Sequence, residues 1–149
     1  MKLLRIIWVA FLLAVAIYAP IPFLVVGEGA DTAPAPPAGV RSGLVFAALG
    51  AAVSSFAAKR WWSNSLLAAV RSEAAAPVRA DAWARLRAGC VITWALSEAV
   101  ALIGFSLALV THQPADGVPM AAAAALLLYF HRPAAWPVQA LARAAGEPG

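Results

Sequence analysis

Four apolar runs separated by short polar stretches dominate the chain: residues 6–26 behind Lys2 and Arg5, about 40–58, 88–110 and about 117–131. An α-helix rises about 1.5 Å per residue and a bilayer hydrocarbon core is about 30 Å thick, so an apolar run of about 20 residues crosses it as a helix. The first three runs meet that length. Residues 118–130 reach only about 20 Å, so this last helix is expected to recruit the adjoining turn while His131 and Arg132 snorkel. The first run reads as a membrane span rather than a signal peptide. It outlasts the roughly 7–15 residues of a signal core and lacks a convincing small-x-small cleavage site. Pro20 and Pro22 remove backbone donors, so the helix is expected to kink or stop there.

The connectors carry their own signals. Residues 27–39 replace apolar positions with prolines, glycines, Glu28 and Asp31, the composition of an irregular polar loop. Lys59-Arg60-Trp61-Trp62 marks a membrane interface at the end of the second run. Leu66, Leu67 and Val70 then fall at helical spacing ahead of Pro77, which predicts a short helix on the membrane surface. Asp81 is placed to cap a new helix that passes through Arg85 and Arg87 into the third run. Residues 111–117 predict a tight turn, and Pro119 suits the first turn of the last helix. That helix is expected to be held by packing through its alanines, Ala123 among them. Residues 133–149, with Trp136 and Arg143, read as a flexible cytoplasmic tail.

Composition sharpens this picture. Of the 149 residues 63% are hydrophobic and 12% charged, with mean hydropathy +0.80, whereas a soluble domain is about one quarter charged. The formal charge of +4 does not indicate nucleic acid as a partner, because no soluble region interleaves basic and aromatic residues. The basic residues act instead as topology signals. If the runs alternate in direction, ten of the eleven fall on one side and Arg41 alone on the other. The positive side is cytoplasmic. The expectation is an all-α, polytopic membrane protein: one membrane domain over 1–149, four transmembrane helices, both termini cytoplasmic, and the second and third helices as a tight hairpin. The lone Cys90 lies in an apolar run and reads as a packed, reduced thiol.

One residue of the third run needs separate explanation. Glu98 lies about ten residues from either end, near the bilayer midplane, where an ionised side chain costs at least about 3 kcal/mol. At 100° per residue Cys90, Thr93, Ser97, Ala101, Gly104 and Ala108 form a small-residue stripe, with Trp94, Phe105 and Glu98 along its border. Gly50 and the alanines 121–125 fall at the depth of Glu98, and Tyr18 is the only phenol near that level. No lysine or arginine reaches that depth, so burial favours the neutral acid. Glu98 is then either a proton-binding carboxyl or a structural hydrogen-bonding group tied to Tyr18 or a backbone carbonyl. Tyr18, Gly50, Trp94, Ser97, Ala101 and Gly104 are its expected supports. Ser54 or Ser55 with His131 is the one conceivable pairing of nucleophile and base, and neither spacing nor context supports catalysis. No enzymatic activity, cofactor or metal site is expected, and His112 and His131 fall on opposite faces.

Residues 94–104, Trp-Ala-Leu-Ser-Glu-Ala-Val-Ala-Leu-Ile-Gly, resemble the carboxylate-bearing helix of the c subunit (proteolipid) of rotary ATP synthases. The resemblance implies reversible proton or sodium-ion binding at Glu98, and a hairpin that enters from outside and turns in a cytoplasmic loop. This chain departs from that family in having Gly43 and Gly50 where the family's first helix is dense in glycine, a longer loop around Ala76-Pro77-Val78-Arg79, and additional first and fourth runs. The whole chain also resembles small bacterial four-span proteins of the inner membrane. The partners these resemblances imply are the lipid bilayer and either other membrane subunits or further copies of the chain.

Overall fold

A computed structural model describes residues 2–26, 37–71 and 76–137. The loop expected over 27–36, the side chains of Val70 and Asp81, and the tail beyond residue 137 lie outside the described residues. All described elements are helical: α1 (Lys2–Tyr18), α2 (Ile21–Val25), α3 (Ala38–Arg71), α4 (Ala76–Thr111) and α5 (Val118–Phe130), with 3-10 turns at Pro114–Gly117 and Pro133–Ala135. Lys2–Val25, Gly39–Ala68 and Ala82–Thr111 are long and apolar enough to cross a membrane, while Pro114–Phe130 is apolar but shorter.

The first helix breaks where proline dictates: α1 ends at Tyr18 and the chain turns through Ala19 and Pro20 into α2. The second run behaves differently from its expectation. Lys59-Arg60-Trp61-Trp62 does not end the helix; α3 continues for 34 residues, and its last two turns replace the surface helix expected over 63–71. No glycine or proline lies between Gly50 and Pro77 to stop it. Leu66 at 1% exposure belongs to the same buried cluster as Ala82 and Leu86 of α4, so packing carries the hairpin onward. Asp81 lies inside α4, which begins at Ala76, and so does not cap its start. Trp62 seals the hairpin: a Cβ on Gly89 of α4 would lie 2.7 Å from its Cγ. At 34 and 36 residues, α3 and α4 run about 50 Å and outreach a hydrocarbon core of about 30 Å.

The central element is α4, which packs against α1, α3 and α5. Its small stripe is the packed face, because Cys90, Thr93, Ser97, Ala101, Gly104 and Ala108 are all buried. The contacts Phe11–Trp94 and Tyr18–Phe105 set α1 parallel to α4. Gly104 against Gly117 and Met120, with Ser97 against His131, sets α5 antiparallel. The described basic side chains Lys2, Arg5, Lys59, Arg60, Arg85, Arg87 and Arg132 therefore collect at one end of the bundle. The exception, Arg41, donates to Asp116 at 2.7 Å at the other end, tying the start of α3 to the turn before α5.

The alanine run of α5 packs through Ala121 and Ala124, while Ala123 is exposed. Five consecutive alanines carry no periodicity from which the packed face could be read. The chain after α5 also differs from a frayed tail in its first residues: Pro133–Ala135 forms a turn and Trp136 is buried at 4% exposure.

Candidate functional site

Glu98 is half-buried and accepts a hydrogen bond from the Tyr18 hydroxyl at Oε1, 3.2 Å away. The phenol comes from the last residue of α1, just before the proline break, and its ring leans on Phe105 about two turns beyond Glu98 (centroids 6.2 Å apart). Among the described residues Glu98 makes no ion pair. One carboxyl oxygen is thus bound between helices on a phenol that lacks the charge of a counter-ion.

The other expected supports are distributed unevenly. Ser97, Ala101 and Gly104 are buried on the stripe facing α5, on the neighbouring side of α4. Trp94 is not a border residue but a core residue, fully buried and tilted against Phe11. Gly50 takes no part: it is exposed, and a Cβ added there meets nothing within 4 Å. The reason is helical register, since α3 turns Ala48, Ser55, Trp62 and Leu66 toward α4, which leaves Gly50 on the far side.

A second polar cluster joins α4 to the end of α5. Ser97 Oγ donates to the Thr93 carbonyl at 2.9 Å and lies 3.1 Å from His131 Nδ1, with all three residues fully buried. The Ser97 hydroxyl thus lies between the Thr93 carbonyl and the imidazole Nδ1, and the direction of its bond to the ring follows the tautomer of His131. Among the described residues, His131 Nε2 and Thr93 Oγ1 have no hydrogen-bond partner. Ser55, one of the serines weighed against His131 in the sequence, donates instead to Ala52 O, while Ser54 is exposed. The Phe56 ring meets the imidazole edge-on at 4.9 Å. Sequence reasoning missed the Ser97–His131 contact. The signal was the register of α5 on α4, fixed by Gly104 opposite Gly117.

His131 stands where α5 stops, and that end is closed by side chains. The last four carbonyls of a helix have no partner inside it, and a membrane interior supplies no water to replace one. Here Leu127 O and Tyr129 O accept from the backbone N–H groups of His131 and Arg132. Leu128 O accepts from Trp8 Nε1 at 2.8 Å, and Phe130 O accepts from Lys59 Nζ at 2.9 Å. Beyond the last turn, His131 O accepts from both Trp94 Nε1 and Trp136 Nε1. Trp8, Trp94 and Trp136, with Lys59 of the interface motif, are thus the donors that let a 13-residue helix end within the bundle.

Cys90 is buried and free, and among the described residues no group of three or more His, Cys, Asp or Glu side chains comes together to hold a metal. No family model, curated protein or solved structure matches the chain.

Proposed function

We propose that this chain is a four-span protein of the bacterial inner membrane, with both termini cytoplasmic, in which Glu98 binds a proton for translocation or coupling. The observation that carries the reading is the half-buried carboxyl midway along Ala82–Thr111, held at one oxygen by Tyr18 and free of an ion pair among the described residues. A carboxyl in such a place is by default a functional group, and residues 94–104 resemble the proton-binding helix of rotary proteolipids. The same Tyr18 bond favours a second reading, in which the chain is a structural or assembly subunit and Glu98 ties α1 to α4.

The two readings part at Glu98. A hydrophobic carbodiimide is expected to label Glu98 near neutral pH and to lose reactivity as pH rises, because it reacts with the protonated acid; a folded sample that takes no label overturns proton binding. Glu98→Gln keeps an acceptor for Tyr18 and removes the titrating proton, so melting in detergent should stay close to the wild type. A deletion phenotype restored by wild type and not by Glu98→Gln fits proton binding. Restoration by Gln, with failure only of Glu98→Leu through loss of assembly, makes the residue a tie.

The orientation has its own test. Reporters fused at the C-terminus should read cytoplasm, and reporters after Thr32 or Gln113 the outside. A cytoplasmic signal after Gln113 removes the fourth crossing.

A further inference from the structure

The basic end of the bundle carries a pair of cations that the reading of Glu98 does not use. Lys59 of α3 places its ammonium 2.9 Å from the carbonyl of Phe130, two residues before Arg132, so both cations belong to the place where α3 meets the end of α5. Among the described residues no acid pairs with either, the single ion pair there being Arg41–Asp116 at the opposite end. Glu73 and Asp81 belong to the same end by sequence, but their side chains lie outside the described residues. Lys59 spends one of its three donors on Phe130 O. Arg132 is exposed, with its guanidinium 4.6 Å from the centre of the Tyr129 ring and, among the described residues, no hydrogen-bond acceptor for its N–H groups. Immediately on the membrane side of these cations, Phe56 of α3 and Phe130 of α5 are each at least half exposed.

Two adjacent cations with spare donors, above exposed aromatic rings, form a surface with one complementary kind of occupant: an anion that carries its own apolar chains. We propose that Lys59 and Arg132 hold the phosphate of an anionic phospholipid whose acyl chains lie along Phe56 and Phe130. A guanidinium matches a phosphate with two parallel N–H bonds, and the ammonium adds a point charge. The anion also relieves the repulsion between the two cations. Basic pockets between transmembrane helices are a recognised setting for anionic headgroups.

The test uses the full chain in mild detergent, supplied with phosphatidylglycerol or with phosphatidylcholine, with bound lipid counted by native mass spectrometry. Phosphatidylglycerol should be retained in preference to phosphatidylcholine. Arg132→Gln should reduce that retention about five-fold, the equivalent of about 1 kcal/mol for one basic residue near an anionic surface. Arg132→Lys, which keeps the charge, should preserve the preference for phosphatidylglycerol at reduced retention. Lipid-free melting of both variants should match the wild type, because the Arg132 side chain is exposed and lies over the exposed Tyr129 ring. Equal retention of the two lipids overturns the proposal, as does unchanged phosphatidylglycerol retention in Arg132→Gln. If Arg5→Gln lowers retention as much as Arg132→Gln, the attraction belongs to the whole basic end and the site is overturned.

Discussion

Trp94→Ala is expected to destabilise the bundle by about 3–5 kcal/mol, the cost of truncating a fully buried aromatic residue. Trp94 is the largest fully buried side chain among the described residues and touches two elements at once, the Phe11 ring of α1 and the His131 carbonyl at the end of α5. Its removal leaves a cavity between three helices and takes one of two donors from that carbonyl. Trp94→Phe separates the two effects. It keeps most of the ring volume and loses the N–H, and because Trp136 Nε1 also reaches His131 O at 3.2 Å, the cost should fall to about 1 kcal/mol. Thermal melting in detergent of the two variants beside the wild type reads the ratio. If Phe is as damaging as Ala, the hydrogen bond rather than packing holds the end of α5; if Ala melts like wild type, Trp94 is not in the core.

Gly104→Leu should be nearly as damaging, for the opposite reason. A Cβ at Gly104 would stand 2.5 Å from Met120 Cβ and 3.1 Å from Gly117 O, and in return a Cβ at Gly117 would meet Gly104 O at 3.0 Å. These neighbours are backbone and the base of a side chain, which cannot swing aside, so α5 must move off α4. Overpacking of this kind costs about 1–3 kcal/mol for small insertions. That exceeds the roughly 1 kcal/mol of helix propensity that Gly104→Ala gains. Alanine should therefore destabilise modestly, and leucine should exceed the range and disturb the Ser97–His131 contact that depends on the register. Ala123→Leu, on the exposed side of α5, should change melting by no more than about 0.5 kcal/mol. Equal melting of Gly104→Leu and Ala123→Leu would show that α5 does not lie against α4 at this point.

Much of the architecture was legible because it rests on local patterns. Apolar run length located the three membrane-length helices, and 100° spacing identified the buried stripe from Cys90 to Ala108. Tyr18 was recognisable as the partner of Glu98 because it is the one phenol near that depth. The rest depended on information that no run carries. Whether α3 stops at Lys59-Arg60-Trp61-Trp62 is decided by Leu66 finding Ala82 and Leu86 on the other arm of the hairpin. The pairing of His131 with Ser97 depends on how deep a short helix descends, which the two glycines of the α4–α5 contact determine. Trp8, Lys59, Trp94 and Trp136 have the residue types of an interface belt, and only the place where α5 ends makes them carbonyl donors.

The closed end of α5 has a consequence for biosynthesis. Trp8, Lys59 and Trp94, the donors from the other helices, lie earlier in the chain than the carbonyls they cover, so the ribosome has made every outside partner before the last helix is complete. If α5 is a fourth crossing, it need not be hydrophobic enough to enter the bilayer unaided, because donors from the earlier helices are there to cover its end. Misplacing α1 or α3 removes the side-chain donor of Leu128 O or Phe130 O, whereas His131 O keeps Trp136 if α4 is misplaced. The capping of α5 therefore depends on α1, α3 and α4 standing where Trp8, Lys59 and Trp94 can reach its end.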